Sequence, residues 1–95
     1  MKHCIIAKFN DTAGDKAVMT AQIEALFSSA PAMDGIHGHT VLRNCVDREN
    51  RYDLAIVIDM DKAALPAWDA SELHREWKSR FGSYLTSKAI FDFES

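Results

Sequence analysis

Arg51-Tyr-Asp-Leu-Ala-Ile-Val-Ile-Asp-Met60 is the longest clean strand signal in this sequence. With the two-residue period of a strand, Tyr52, Leu54, Ile56, Ile58 and Met60 fall on one face, and Asp53, Ala55, Val57 and Asp59 on the other. Both faces are apolar in the middle, at Ile56 on one side and at Ala55 and Val57 on the other. A strand with one face in water alternates apolar with polar. This one therefore belongs inside a sheet covered on both sides. A chain of 95 residues has few helices to spare for two covers, so a second copy of the chain is the natural second cover.

Other strands flank it. Residues 2–9 place His3, Ile5, Ala7 and Phe9 on one face and Lys2, Cys4, Ile6 and Lys8 on the other, with His3 on the more apolar side. Residues 36–46 read as a strand that Gly38 marks as an edge or a bulge. Asp47-Arg-Glu-Asn50 makes a polar hairpin connection into the central strand. Ser87 to Glu94 is the last strand, with Ala89, Phe91 and Phe93 on one face and Lys88, Ile90, Asp92 and Glu94 on the other.

Two helical regions separate these strands. Thr12 and Asp15 have the form of an acidic capping box. Met19, Gln22, Ile23, Leu26, Phe27 and Ala30 then recur at helical spacing, an apolar stripe broken only by Gln22, and Pro31 is expected to end the helix. Asp61 is a candidate cap for the second region. Pro66 there suits only a first helical turn. Ser71 reads as a fresh N-cap, followed by Leu73, Trp77 and Phe81 as the buried stripe of a helix ending near Gly82.

The order strand, helix, strand, strand, helix, strand predicts an α+β fold: the ferredoxin-like split βαβ, a four-stranded antiparallel sheet with helices on one face. The other face is expected to carry Ile6, Ile90 and residues of the central strand, to be covered by dimerisation. Residues 1–95 read as one domain, since a chain this short buries enough surface for a single core.

Composition narrows the function classes. The chain is 47% hydrophobic and 26% charged, with a net charge of −3 and no Lys/Arg cluster. That argues against nucleic acid, which needs a concentrated positive surface. No apolar run approaches a membrane span, and Met1-Lys-His-Cys-Ile-Ile6 lacks the long apolar core of a signal peptide. A cytoplasmic location is expected. In that reducing compartment Cys4 and Cys45, which have no metal-type spacing, are expected to be buried thiols. No nucleotide fingerprint, phosphate loop or serine nucleophile motif is present, so no cofactor is expected.

These residues resemble the stress-responsive dimeric α/β-barrel (Dabb) family along nearly the whole chain. His3-Cys-Ile-Ile-Ala-Lys-Phe9 fits its opening strand. Pro31-Ala-Met33 with Gly35 fits its turn after the first helix, and Arg51-Tyr-Asp-Leu-Ala55 its central strand. Leu65-Pro-Ala-Trp68 and Phe91-Asp-Phe93 fit its later segments. The family's His-Pro-x-His reads Ser71-Glu-Leu-His74 here, keeping only the second histidine. The resemblance implies a homodimer whose sheets form a barrel, and it fixes no activity. One plant branch, the olivetolic acid type of polyketide cyclase, closes a ring by aldol condensation with the two histidines that correspond to His3 and His74. The tyrosines of that branch correspond to Ile23 and Trp68 here.

His3 and His74 are thus the candidate catalytic residues, with His74 as base and His3 as partner. Imidazole suits proton abstraction from a carbon acid. The competing reading makes each a hydrogen-bonded core histidine. Ile5, Ile23, Phe27, Trp68 and Trp77, with Phe81, are candidates to line a small apolar ligand pocket between sheet and helices, or are simply core. His37 and His39, at i and i+2 on one strand face, lack a third metal ligand, so no metal site is expected. Asp59, Asp61 and Asp69 read as a cap and solvated carboxylates. The leading function is a Dabb protein of unassigned activity, a homodimer binding a small apolar ligand. The alternatives are a cofactor-free cyclase or isomerase acting on a carbonyl substrate, and a purely structural oligomer. Whether Ser71 and Glu72 open or close the pocket is left to the structure.

Overall fold

The computed structural model describes residues 1–94. Strands β1 (Lys2–Phe9), β2 (Ile36–Arg43), β3 (Leu54–Met60) and β4 (Leu85–Phe93) form one sheet in the order β2–β3–β1–β4, antiparallel throughout. Helix α1 (Lys16–Phe27) carries the chain from β1 to β2, and β3 inserts between those two strands. Helices α2 (Leu65–Asp69) and α3 (Glu72–Phe81) lead from β3 to β4. This is the predicted ferredoxin-like α+β fold. Among the described residues, no helix is long and apolar enough to cross a membrane.

Cross-strand rows show what each face is made of, because directly paired residues share a face. The helix side carries the rows His39–Ile58–His3–Asp92, Val41–Ile56–Ile5–Ile90 and Arg43–Leu54–Ala7–Lys88. Ile5, Ala7, Leu54, Ile56 and Ile58 are fully buried there, against Ile23 and Phe27 of α1 and Trp68 and Trp77 of α2 and α3. The outer side carries Thr40–Val57–Cys4–Phe91 and Leu42–Ala55–Ile6–Ala89, with Lys2, Asp59 and Phe93 at one end. On this side Phe91 is 62% exposed and Leu42 52%.

The helix starts follow local chemistry. Asp15, rather than Thr12, caps α1: its carboxylate accepts from the backbone N–H of Ala17 at 2.8 Å and of Val18 at 3.1 Å. Thr12 instead sits in a single 3₁₀ turn (Asp11–Ala13) capped by Asn10. Ser71 caps α3 as read, accepting from the His74 N–H at 3.0 Å. Asp61 makes no side-chain cap; its carboxylate meets His37.

Several boundaries depart from the sequence reading. α1 stops at Phe27, before Pro31, because the Ser28 and Ser29 hydroxyls donate back to the carbonyls of Ala25 and Leu26 and occupy last-turn acceptors. Gln22, read as the break in the apolar stripe, is indeed exposed. β2 ends at Arg43, short of residue 46, where Asn44 begins its own turn with Val46. Tyr52 lies outside β3 and is exposed. β4 runs Leu85–Phe93, beginning earlier than Ser87 and ending before Glu94. Ile90 is on the helix side, not the outer side, since its partner is the buried Ile5. Cys45 is exposed in the β2–β3 connection, not buried, and Cys4 is half-buried on the outer sheet face; both are free thiols. Burial pushes the Cys4 thiol above its ordinary value, with Asp92 adding to the effect.

Candidate functional site

Helix α3 and edge strand β4 face each other across a cavity of about 310 Å³ lined by His3, Leu65, Asp69, His74, Lys78, Lys88, Ile90 and Asp92. Both candidate histidines open onto it. They reach it differently: His3 stands on β1 in the row that ends at Asp92, and its side chain is 6% exposed. His74 stands in the first turn of α3, where the Ser71 cap holds its backbone. The Ser71 hydroxyl also donates to the Trp68 carbonyl at 2.7 Å, tying α3 to the end of α2.

The indole of Trp68 is the common neighbour of the two imidazoles, with ring centroids 6.4 Å from His3 and 5.3 Å from His74. Its Nε1 is the buried side-chain polar atom left without a hydrogen-bond partner among the described residues. Phe27 backs the same indole at 5.8 Å.

Hydrogen bonds set the chemistry of each ring. His3 Nδ1 meets the Asp92 carboxylate, a histidine–carboxylate pair that fixes the orientation of the ring. His74 Nδ1 lies 3.0 Å from the Asp69 carbonyl oxygen. A carbonyl can only accept, so Nδ1 carries the proton and Nε2 of the neutral ring keeps its lone pair. Burial pushes the His74 pKa below its ordinary value, and Lys78 and Lys88 push the same way; the bond to Asp69 opposes them. The site thus pairs an imidazole held neutral and basic at Nε2 with one held by a carboxylate.

The structure brings His3 and His74 to one cavity but leaves the other sequence candidates out of its wall. Ile5, Ile23, Phe27, Trp68 and Trp77 are at most 1% exposed and belong to the closed core. They shape the cavity from behind, because helical and strand spacing turned their side chains fully inward. Neither Ser71 nor Glu72 lines the cavity, so the departure from the family's His-Pro at these positions neither opens nor closes it directly. Asp92 was missed as a functional residue; the signal available was that it shares a β4 face with Lys88 and Ile90, while its pairing with His3 needs the register. Asp69 was read as solvated, and its carboxylate is exposed, but its carbonyl fixes the His74 tautomer.

The remaining histidines serve other ends. The bulge at Ile36–Gly38 takes His37 out of the regular alternation. His37 Nε2 then meets Asp61 at 2.9 Å, and His39 Nε2 meets Glu24 of α1 at 2.9 Å. The bulge, invisible in a two-residue count, sends the two rings to different carboxylates. Asp59 pairs with Lys2 at 3.1 Å. No group of three or more metal-ligating side chains occurs among the described residues. A larger depression of about 570 Å³ lies under the β2–β3 connection, walled by charged chains such as Lys8, Arg43, Arg48 and Asp53, and holds neither His3 nor His74.

The sheet order, the split βαβ crossover and the covered helix side define a ferredoxin-like α+β domain with a cavity at its β4 edge. The chain belongs to the Dabb family, the Stress responsive A/B Barrel Domain, which it matches over residues 1–95. Solved structures agree on the fold. A dimeric ferredoxin-like protein of unknown function from Thermobifida fusca has a TM-score of 0.81 at 21% identity, covering 99% of this chain and 89% of that one. A Dabb family protein from Mesorhizobium loti has a TM-score of 0.73 at 12% identity, covering 99% and 94%. The hydroxynitrile lyase of Passiflora edulis has a TM-score of 0.76 at 12% identity, covering 97% and 89%. No curated protein matches the sequence.

Proposed function

We propose that this chain is a homodimeric Dabb protein that binds a small, largely apolar molecule in the cavity between α3 and β4. The carrying observation is that one cavity of about 310 Å³ receives both His3 and His74. That size is in the range of small-molecule sites, which begin near 300 Å³. The dimer reading rests on the outer sheet face, where Cys4, Ile6, Leu42, Ala55, Val57 and Phe91 form a contiguous apolar surface with no helix over it. A second copy placed sheet to sheet covers that surface isologously and closes the two sheets into a barrel. The Thermobifida fusca relative, described as dimeric, supports it.

A second reading, cofactor-free catalysis on a carbonyl compound, is favoured by the His74 tautomer. With Nδ1–H held by the Asp69 carbonyl, Nε2 is free to take a proton from a carbon acid. His3, its ring fixed by Asp92, can donate from Nε2 to the oxygen that gains charge when it is in the imidazolium form. That an enzyme, the Passiflora lyase, shares the fold supports the capacity for catalysis. The test is hydrogen exchange: phenylacetone in D₂O with the protein, followed by proton NMR. Catalysed loss of the α-proton signal, abolished in His74→Ala, is the expected result for an enzyme. Binding seen at the His74 and Ile90 resonances without exchange leaves a binding protein. No perturbation of those resonances by any small apolar ligand refutes the pocket reading.

A further inference from the structure

Resting on the pocket reading, the make-up of the cavity wall points to the class of ligand. The wall is not uniform along its length. On β4 the helix-side residues run Asp92, Ile90, Lys88, opposite His3, Ile5 and Ala7 in turn. Asp92 and Lys88 are four positions apart in the strand, about 13 Å along it. On α3, Lys78 lies one turn beyond His74, about 6 Å further along the helix axis. The cavity therefore has an imidazole end, at His3–Asp92 and His74, an apolar middle at Ile90, and an ammonium end at Lys78 and Lys88.

The charges at the two ends are unequally matched. Asp92 is engaged with His3. Asp69, the other acid on the wall, sits at the end of α2, five residues before His74. By contrast, neither Lys78 nor Lys88 forms an ion pair or a side-chain hydrogen bond among the described residues, although most other lysines here do: Lys2 with Asp59, Lys8 with the Glu49 carbonyl, Lys16 with Asp53. Two ammonium groups from opposing walls, a helix and an edge strand, thus line one cavity without an ion-pair partner among the described residues. Both act on His74, making it harder to protonate, so they are near enough for a charge held between them to be felt at the imidazole end.

We propose that the ligand is an elongated carboxylic acid with an apolar body, its carboxylate held between Lys78 and Lys88 and its far end directed toward His3 and His74. Lys78 and Lys88 are then specificity residues: they choose the acid over its uncharged counterparts and set its direction in the cavity. The apolar middle selects against small polar acids.

A matched pair of probes tests this, 5-phenylpentanoate and its uncharged amide, 5-phenylpentanamide, titrated at low salt with the His74 and Ile90 amide resonances as the readout. The acid is expected to bind about tenfold more tightly than the amide, since two nearby ammonium groups act on one carboxylate in a partly solvated site. The double substitution Lys78→Gln/Lys88→Gln is expected to bring the acid down to the amide's affinity, and added salt to do the same in part. Both lysines are exposed, so the variant folds. Equal binding of acid and amide by the unsubstituted protein overturns the proposal and leaves the pocket reading standing. So does a preference for the acid that survives the double substitution. If neither probe perturbs the cavity resonances, the pocket reading and this proposal both fall.

Discussion

Phe91→Ala is the sharpest test of the sheet-to-sheet dimer. Phe91 stands on the outer face of β4 beside Phe93, with ring centroids 5.9 Å apart, and is 62% exposed. A phenylalanine presents about 200 Å², so about 120 Å² of Phe91 meets water in the single chain. Covered by a partner, that area contributes about 3 kcal/mol at 25 cal/mol per Å², of which alanine retains about a third. The two-fold interface uses each residue twice, so the loss is about 4 kcal/mol per dimer, or roughly a thousandfold in the dissociation constant. Sedimentation equilibrium across a concentration series measures it. The protomer itself is expected to keep its circular dichroism, because Phe91 buries little within its own chain. An unsubstituted protein that sediments as a monomer at micromolar concentration, or a Phe91→Ala dimer of unchanged affinity, refutes the reasoning.

Three further outcomes follow from the same coordinates. Asp53→Ala is expected to destabilise the protein by about 2 kcal/mol in urea unfolding, because its carboxylate accepts from the Phe9 N–H at 2.7 Å and from Lys16 Nζ at 2.9 Å, and the truncation leaves a part-buried N–H unpaired. Gly35→Ala is expected to lower the melting temperature: Gly35 holds φ at +81°, and an added Cβ would come within 2.8 Å of the Ala64 Cβ, so left-handed strain of about 1 kcal/mol adds to a clash. The histidine resonances are expected to titrate apart, His74 below 6.5 and His37 above it, the first through burial and the second through its bond to Asp61. For His37 the raised folded value means stabilisation that is complete below about 6.5 and lost as pH rises through the folded value. For His74 the unfolded chain binds the extra proton, so stability rises with pH between its depressed folded value and about 6.5. Coincident titration of the two rings refutes both assignments.

Most of the fold was legible before any coordinate, for a local reason. The alternation from Leu54 to Met60 and from Lys2 to Phe9, and the stripe of Ile23, Leu26 and Phe27, are periodicities a chain cannot carry without burying one side. What the periodicity could not supply was phase between strands. Ile90 and Phe91 are adjacent apolar residues in β4, and which of them faces the helices depends on pairing with Ile5 rather than on either residue. The bulge at His37 is likewise a matter of register, since one extra residue reverses every later side chain relative to a simple count.

The site divides along the same line. The sequence by itself determined the elements, their order, and that His3 and His74 lie on strand and helix faces turned toward the interior, because backbone period and capping are written within a few neighbouring residues. Only the tertiary structure decided that Asp92 meets His3, that the Asp69 carbonyl fixes the His74 tautomer, and that Lys78 and Lys88 line one cavity from opposite sides. It also decided that the aromatic residues back the cavity instead of lining it. Those facts rest on contacts between segments far apart in the chain. Their geometry is set by strand register and helix packing, to which each segment's own residues contribute only half.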